Sequence, residues 1–121
     1  MKSSYDNNVP IYIQIMEEMK IMIVSNHMKA GDKVASVRDL AQSFGVNPNT
    51  MQRALAELER ENLLYSERTS GRFITTDEGL IMNLREEMAQ DEMKRFLEYM
   101  KKIGYDLHDI IEKMKEVEKG E

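Results

Sequence analysis

Several side chains between residues 49 and 60 have the types and spacing needed to hydrogen-bond the edges of DNA bases. If this segment is helical, an advance of about 100° per residue gives one outward face that contains Asn49, Arg53, Ala56 and Arg60, with Gln52 at its flank. Arginine can bond O6 and N7 of guanine, asparagine or glutamine can bond N6 and N7 of adenine, and a small alanine permits close approach. Thr50 lies toward the other flank, where its hydroxyl can reach a phosphate.

Charge is distributed unevenly along the chain. The 121 residues include 17 basic and 22 acidic side chains, for a net charge of -5, and residues 77–121 contain thirteen of the acidic ones against eight basic. Between Lys33 and Leu55 the charged residues are Lys33, Arg38, Asp39 and Arg53, which give a local net charge of +2. An acidic pI of about 5.2 therefore does not exclude a nucleic-acid partner, because local charge decides binding.

Catalytic and metal-binding chemistry has little support in the sequence. The chain has no cysteine, and its two histidines, His27 and His108, lie far apart and outside any nucleophile or metal motif. We therefore expect no catalytic residue, no cofactor and no bound metal. The longest apolar stretches are far shorter than the ~20 residues of a membrane span, so we expect a soluble, cytoplasmic protein with no membrane partner.

Two short helices are predicted around the candidate face. Ser36 can accept a hydrogen bond from the Asp39 N–H and so begin a helix that ends at Gly45, a residue suited to the left-handed conformation after a helix. Asn47-Pro48 then combines a strong N-cap with proline at the first helical position. The apolar residues of this next helix recur at i, i+3, i+4 and i+7: Met51, Ala54, Leu55 and Leu58.

The remaining elements are predicted from the same kinds of signal. Helix 1 runs from Pro10, placed in its first turn, to about His27. A β-hairpin follows the two short helices, with strands Leu63–Glu67 and Arg72–Thr76 joined by a turn at Arg68–Gly71. Two more helices complete the chain, one from Asp77 to about Lys102 and one that Asp106 caps.

This order of elements predicts a mainly α fold with a small β-hairpin, namely a winged helix-turn-helix DNA-binding domain (1–76) and a two-helix C-terminal dimerisation segment (77–121). In a winged helix-turn-helix the second helix of the motif enters the major groove, and the hairpin touches the DNA backbone or the minor groove. The two C-terminal helices have little core of their own, so their apolar stripes must be covered by the first domain or by a second copy of the chain. We expect the second copy, in a homodimer formed through the C-terminal helices.

Other interpretations of these features stay open at this point. Exposed arginines are often only solvated, and Arg38 can pair with Asp39 or Glu57 on the surface. Arg68 and Arg72 can serve simply to keep an edge strand from aggregating. A winged helix can also act as a protein-interaction module without DNA binding, although the exposed face of its second helix would then tend to be acidic or apolar.

A series of sequence blocks, in order, resembles the DNA-binding domain of GntR-family bacterial transcription regulators over about 66 residues. The blocks are residues 10–15 (PIYIQI), 31–33 (GDK), 36–41 (SVRDLA), 46–50 (VNPNT), the pairs Arg53-Ala54 and Leu58-Glu59, and 71–74 (GRFI). The two-helix tail resembles the short YtrA-type subfamily. The resemblance implies a homodimeric repressor that binds an operator with two-fold symmetry, and YtrA-type regulators often control ABC-transporter operons.

The resemblance also implies which residues bind DNA. Ser36 and Arg38 would contact DNA at the start of helix 2, and Asn49, Thr50 and Arg53 would do so in helix 3. Gly71 would enter the minor groove at the tip of the wing. With Gln52 from the outward face and Arg72 from the wing, the candidate DNA-binding residues are Ser36, Arg38, Asn49, Thr50, Gln52, Arg53, Gly71 and Arg72.

Three positions depart from the family pattern. Ala35 replaces the usual proline before the helix 2 serine, Thr69 replaces a second wing glycine, and Asn62 replaces glycine after helix 3. Thr69 is the departure that bears on the wing contact with DNA. A tail of 45 residues is too short for an enclosed ligand pocket in one chain, so a small-molecule effector would lie between subunits or between tail and winged domain.

Overall fold

The computed structural model describes residues 7–120, and within them the chain forms five α-helices and a two-stranded antiparallel sheet. The helices are α1 (Ile11–Val24), α2 (Val37–Phe44), α3 (Pro48–Arg60), α4 (Glu78–Lys102) and α5 (Leu107–Lys119), and the strands are β1 (Leu64–Glu67) and β2 (Gly71–Ile74). The predicted fold class is confirmed. Residues 1–6 of the predicted first domain and residue 121 of the tail lie outside the described residues. No helix in the range 7–120 is both long and apolar enough to cross a membrane.

The core of the N-terminal part forms around α3, which packs against α1, α2 and β1. The buried side chains of α3 are the four that the sequence spacing predicts, Met51, Ala54, Leu55 and Leu58, and all four are fully buried. The helices that pack against α3 also have buried side chains, among them Ile15 and Met19 of α1 and Phe44 of α2. Burial of each large apolar side chain is worth about 1.5–3 kcal/mol, so this packing fixes which face of α3 points to solvent.

Local capping sets the ends of α2 and α3 as the sequence predicts. The Ser36 hydroxyl accepts a hydrogen bond from the Asp39 N–H at 3.1 Å, and Gly45 ends α2 with φ of +69°. Asn47 Oδ1 accepts from the Asn49 N–H at 2.8 Å, directly before Pro48 at the first helical position. These caps leave a connection of three residues between the two helices, and so a tight helix-turn-helix.

The departure at Asn62 is accommodated by its backbone conformation. Asn62 follows the end of α3 with φ of +66°, the left-handed region in which asparagine is tolerated better than other non-glycine residues. Thr69 is not among the described residues with positive φ, so the wing turn does not demand glycine there. The left-handed residue at the wing is instead Gly71, with φ of +109°.

Helix α1 is shorter than predicted. Pro10 precedes the helix as its N-cap rather than lying in its first turn, and the helix ends at Val24 rather than near His27. The reason is Asn26, which adopts φ of +68° and breaks the helical path. The His27 N–H bonds back to the Met22 carbonyl at 2.9 Å, which closes the end of the helix.

The hairpin forms with strand bounds slightly different from those predicted. Its register pairs Leu64 with Ile74 and Glu67 with Gly71, so Gly71 begins β2 instead of ending the turn. Regular pairing stops at Ile74, although the Thr75 N–H still donates to the Leu63 carbonyl at 2.9 Å. The predicted strands were therefore too long by one residue in β1 and by two at the end of β2.

A short extended segment before α2 adds to this sheet, which the sequence patterns did not predict. Lys33 forms an isolated antiparallel bridge with Phe73. The Val34 N–H donates to the Arg72 carbonyl and the Ile74 N–H donates to the Asp32 carbonyl, each at 2.8 Å. The segment is too short to show an alternating pattern, but it ties the approach to α2 to the wing.

The chain divides into two compact units, residues 1–83 and 84–121. The second unit contains most of α4 and all of α5, whose start has a complete capping box between Asp106 and Asp109 as well as the predicted N-cap. Ile110 is fully buried, whereas the other members of the α5 stripe, Leu107, Ile111, Met114 and Val117, are exposed. The predicted domain division at residues 76 and 77 stays a prediction.

Candidate nucleic-acid interface

The outward face of α3 is exposed as the helical geometry predicts. Asn49, Gln52, Arg53, Ala56 and Arg60 are all exposed, and Thr50 is half-buried at the flank. Arg60 pairs with Glu57 at 3.3 Å on the same helix. Within the part of the chain that the structure describes, the side-chain amides of Asn49 and Gln52 have no hydrogen-bond partner in the protein, so they are available to bond a ligand.

Arg53 is held by a residue of α1. Its guanidinium carbon lies 3.9 Å from the centroid of the Tyr12 ring, and its Nη2 donates to the Tyr12 hydroxyl at 3.3 Å. The sequence analysis placed Tyr12 in helix 1 and gave it no role at the site, so this contact was missed. No local signal marks it, because the two residues are 41 positions apart.

The start of α2 presents Ser36 and Arg38 to solvent. Both side chains are exposed, and among the described residues Arg38 has no ion-pair partner. Its suggested surface partner Glu57 is occupied by Arg60 instead. The Ser36 hydroxyl uses an acceptor site for the cap, so its O–H proton is still available to donate. Free N–H groups at a helix start also favour an anion.

The wing approaches this helix start across a groove of about 440 Å³, whose lining includes Lys33, Ser36 and Gly71. A Cβ added at Gly71 would lie 3.3 Å from Lys33 Cε, so the absence of a side chain lets the lysine lie along the wing. Lys33 contributed to the basic patch in the sequence but was not assigned a role. Its bridge to Phe73 is what brings it to the groove.

Arg72 is engaged within the protein. Its Nε donates to Glu59 Oε1 at 3.2 Å, and the side chains of Arg72 and Glu59 are 20% and 34% exposed. The same Glu59 oxygen accepts from the Ser66 hydroxyl at 3.0 Å. Glu59 therefore ties both strands of the wing to α3, and Arg72 reaches a phosphate only by giving up this partner.

The arrangement offers hydrogen-bond donors and positive charge on three neighbouring pieces of the first unit: α3, the start of α2, and the wing. In the range 7–120 no cluster of three or more histidine or acidic side chains is placed to hold a metal ion. His27 bonds Ser25 through Nδ1 at 2.8 Å. Such a surface fits a polyanion with hydrogen-bonding edges better than it fits a reacting substrate.

Comparison with known families identifies the same part of the chain. The family model described as bacterial regulatory proteins, gntR family, matches residues 11–74, which span α1 to β2 and so include every residue of the three pieces. The HTH-type transcriptional repressor YtrA of Bacillus subtilis is 35% identical over 102 residues, which cover 84% of this chain and 74% of that protein.

Two solved structures resemble the chain, one over nearly its whole length and the other over about three fifths of it. A GntR family transcriptional regulator from Listeria monocytogenes superposes with a TM-score of 0.87 at 38% identity and covers 93% of this chain and 98% of its own. The structure of AraR(DBD) in complex with operator ORR3 superposes with a TM-score of 0.53 at 29% identity, over 62% of this chain and 88% of its own. The first likeness extends over the tail, and the second is to a domain bound to DNA.

Proposed function

The chain belongs to the GntR family of bacterial regulatory proteins, and from this premise we propose that it represses transcription by binding an operator with two-fold symmetry as a homodimer. One observation carries the proposal: the outward face of α3 is exposed, and its Asn49 and Gln52 amides have no partner within the described residues. Polar side chains left unpaired on a helix that follows a tight turn are what base recognition in the major groove requires.

The roles of the site residues follow from their chemistry. Asn49, Gln52 and Arg53 read base edges, because amides and guanidinium groups can form paired hydrogen bonds to them. Ser36, Arg38 and Thr50 contact phosphates and set the register of α3 in the groove. Gly71 lets the wing approach the minor groove.

Lys33 joins the phosphate contacts, since its ammonium lies beside the wing glycine. Arg72 is still proposed to contact DNA. Its side chain is paired with Glu59 in this structure, so the DNA contact would be a second role.

The homodimer is proposed because apolar side chains are exposed in the C-terminal unit. On α5, Leu107 and Val117 are 54% and 65% exposed, and on α4 Tyr99 and Met93 are 61% and 56% exposed. Apolar surface of this kind marks an interaction site, and a second copy of the chain presents the matching surface. A two-fold dimer presents two recognition helices, which predicts a palindromic operator with half-sites spaced by one helical turn or a multiple of it.

The physiological target is proposed from the subfamily. YtrA-type regulators are often associated with ABC-transporter operons, and we propose such an operon, in the bacterial cytoplasm, as the regulated target. An effector, if one acts, would bind between subunits.

A salt titration tests DNA binding directly. The chain is titrated with random-sequence duplex at two salt concentrations, and the logarithm of affinity should fall with the logarithm of salt by about 0.9 per phosphate contacted. Replacing both Lys33 and Arg38 by alanine should make that dependence shallower by about two contacts. A Lys29→Ala variant, which removes an exposed lysine outside the three pieces, is the control. An affinity that does not change with salt would contradict the proposal and favour a protein-interaction module.

A further inference from the structure

The guanidinium of Arg53, a residue of α3, is held by a side chain of another helix, α1. Tyr12 is half-buried in the first turn of α1, and its ring lies beneath Arg53 with 3.9 Å between ring centroid and guanidinium carbon. The hydroxyl of the same tyrosine accepts one N–H of Arg53 at 3.3 Å. Two contacts of different direction therefore act on a side chain that would otherwise rotate freely.

The contacts with Tyr12 leave most hydrogen-bond donors of Arg53 available. A guanidinium group has five N–H donors, and one of them is directed to the Tyr12 hydroxyl, so four donors remain for a base. Pairing to guanine uses two donors of one edge, so Arg53 has enough free donors to read a guanine while it keeps its contact with Tyr12.

Holding Arg53 in one orientation before binding favours DNA binding, because a free arginine side chain loses much conformational freedom when it binds. Fixing such a side chain costs up to about 1.5–2 kcal/mol in rotamer entropy, and a contact that fixes it beforehand lowers that cost at the moment of binding. We do not expect the same gain for contacts to phosphates, because a phosphate accepts an ammonium or guanidinium group from many directions.

We propose that Tyr12 is a positioning residue for base recognition: its ring stack holds Arg53 in the conformation that reads the base, and Tyr12 itself does not contact DNA. This inference rests on the proposed function, since it requires Arg53 to read a base. The lost contact is one exposed cation–π pair, so its removal should reduce discrimination at the base read by Arg53 by roughly two- to fivefold.

The test is a comparison of base preferences in the full-length chain. Wild type, Tyr12→Leu, Tyr12→Phe and Arg53→Ala each select from a pool of duplexes with a randomised 30-base-pair centre, and the bound fractions are sequenced. Positions at which Arg53→Ala loses preference are taken as the bases that Arg53 reads. Tyr12→Leu should weaken preference at those positions alone, whereas Tyr12→Phe, which keeps the ring, should stay within about twofold of wild type.

A double-mutant cycle separates positioning from a direct contact. In the Arg53→Ala background, Tyr12→Leu should change affinity for the selected duplex by less than twofold, because nothing remains to be positioned. Ile21→Ala, on an exposed position of the same helix, is the control for a general disturbance of α1 and should leave every preference unchanged. Thermal denaturation of each variant shows whether it is folded.

Each other outcome overturns the inference in a distinct way. Unchanged preferences in Tyr12→Leu would show that the stack does no positioning, and a gain in affinity would show that Tyr12 holds Arg53 away from DNA. Loss at all positions alike, or loss that persists without Arg53, would make Tyr12 a DNA contact, and a Tyr12→Phe variant as weak as Tyr12→Leu would assign the effect to the hydroxyl. If wild type selects no preferred sequence, the proposed function fails and this inference with it.

Discussion

At the scale of single residues, the candidate site contains three kinds of positively charged group. Arg38 is exposed and has no ion-pair partner among the described residues, Arg53 stacks on an aromatic ring, and Arg72 is paired with a carboxylate. An unpaired surface arginine contributes positive charge but can reorient, whereas an arginine held by a neighbouring side chain presents its N–H donors in a fixed direction. We therefore expect the three arginines to respond differently to substitution.

Arg53→Ala and Arg38→Ala should give distinguishable losses of DNA binding. Arg53→Ala should lose about 1–3 kcal/mol of operator affinity and relax the preference at one base position. Arg38→Ala should weaken binding to all sequences nearly equally, because a phosphate is present at every step. Fluorescence anisotropy with a selected duplex and a scrambled one measures both effects, and Lys29→Ala, at an exposed position outside α3, the start of α2 and the wing, is the control. Wild-type binding by both variants would contradict the assigned face.

Arg72→Ala should act mainly on folding stability. Removing the partly buried pair with Glu59 should lower the free energy of unfolding by about 1 kcal/mol, near the upper end for such pairs. Glu59→Ala should cost at least as much, since it also removes the bond from Ser66. Urea denaturation of both single variants and of the double variant gives the coupling between the two side chains. Additive losses would show that the two side chains are not coupled. A loss of DNA affinity by Arg72→Ala with unchanged stability would show that DNA contact is the main role of Arg72.

At the scale of elements, helix caps place the site. The caps at Ser36 and Asn47 fix where α2 and α3 begin, and therefore which residues α3 turns outward. A cap contributes about 1 kcal/mol, a large share of the stability of a helix of only 8 or 13 residues. The wing depends in the same way on backbone pairing, with the Asp32–Val34 segment bonded to β2.

The cap at α5 should make this helix sensitive to acid. The N–H of Asp109 donates to the Asp106 carboxylate at 2.9 Å, and this bond lowers the pKa of Asp106 below its ordinary value. Because the folded pKa lies below the unfolded one, the charged cap stabilises α5 above the unfolded pKa of about 3.9, and the stabilisation is lost as pH falls through the folded pKa. Asp106→Asn keeps a capping oxygen that does not titrate.

Circular dichroism between pH 7 and pH 2 measures this difference. The helical signal of wild type should fall more at low pH than that of Asp106→Asn, and the two should converge near pH 7. Asp91→Asn, at an exposed position within α4, is the control and should follow the wild-type curve. Parallel curves for wild type and Asp106→Asn would show that other carboxylates cause the acid response.

At the scale of the whole molecule, the proposed operator affinity depends on two winged domains acting together. Two linked half-sites bind more tightly than one because the second contact is intramolecular. Ile111, exposed in the α5 stripe, is proposed to lie in the dimer contact, so Ile111→Glu should give a monomer. Its affinity for a palindromic duplex should fall by at least tenfold, while its affinity for a single half-site stays unchanged.

Sedimentation velocity and duplex titration measure the two effects. Lys113→Gln, which makes the same change of one charge unit in the same helix outside the apolar stripe, is the matched control and should leave the dimer intact. An Ile111→Glu chain that remains dimeric would contradict the proposed use of the α5 stripe. A wild-type chain that is monomeric at all concentrations would contradict the homodimer itself.

Much of the molecule could be predicted from the sequence because its signals are local. The caps at Ser36, Asn47 and Asp106 act on groups two or three residues away, and the stripe of Met51, Ala54, Leu55 and Leu58 requires only helical geometry. These signals determined the order of elements and the outward face of α3. The same signals predicted the ends of α1 and of the strands less accurately. The left-handed conformation of Asn26 determines where α1 ends, and the pairing of Glu67 with Gly71 determines where β2 begins.

The sequence alone thus determined that a short capped helix presents Asn49, Gln52 and Arg53 on one face, together with a resemblance to one regulator family. Tertiary structure decided what holds those side chains: Tyr12 beneath Arg53 and Glu59 against Arg72. It also decided the place of Lys33 beside the wing. The physical reason is range, because helix periodicity and caps constrain only a few neighbouring residues, whereas these contacts join residues 13 to 41 positions apart that meet only after the core has packed.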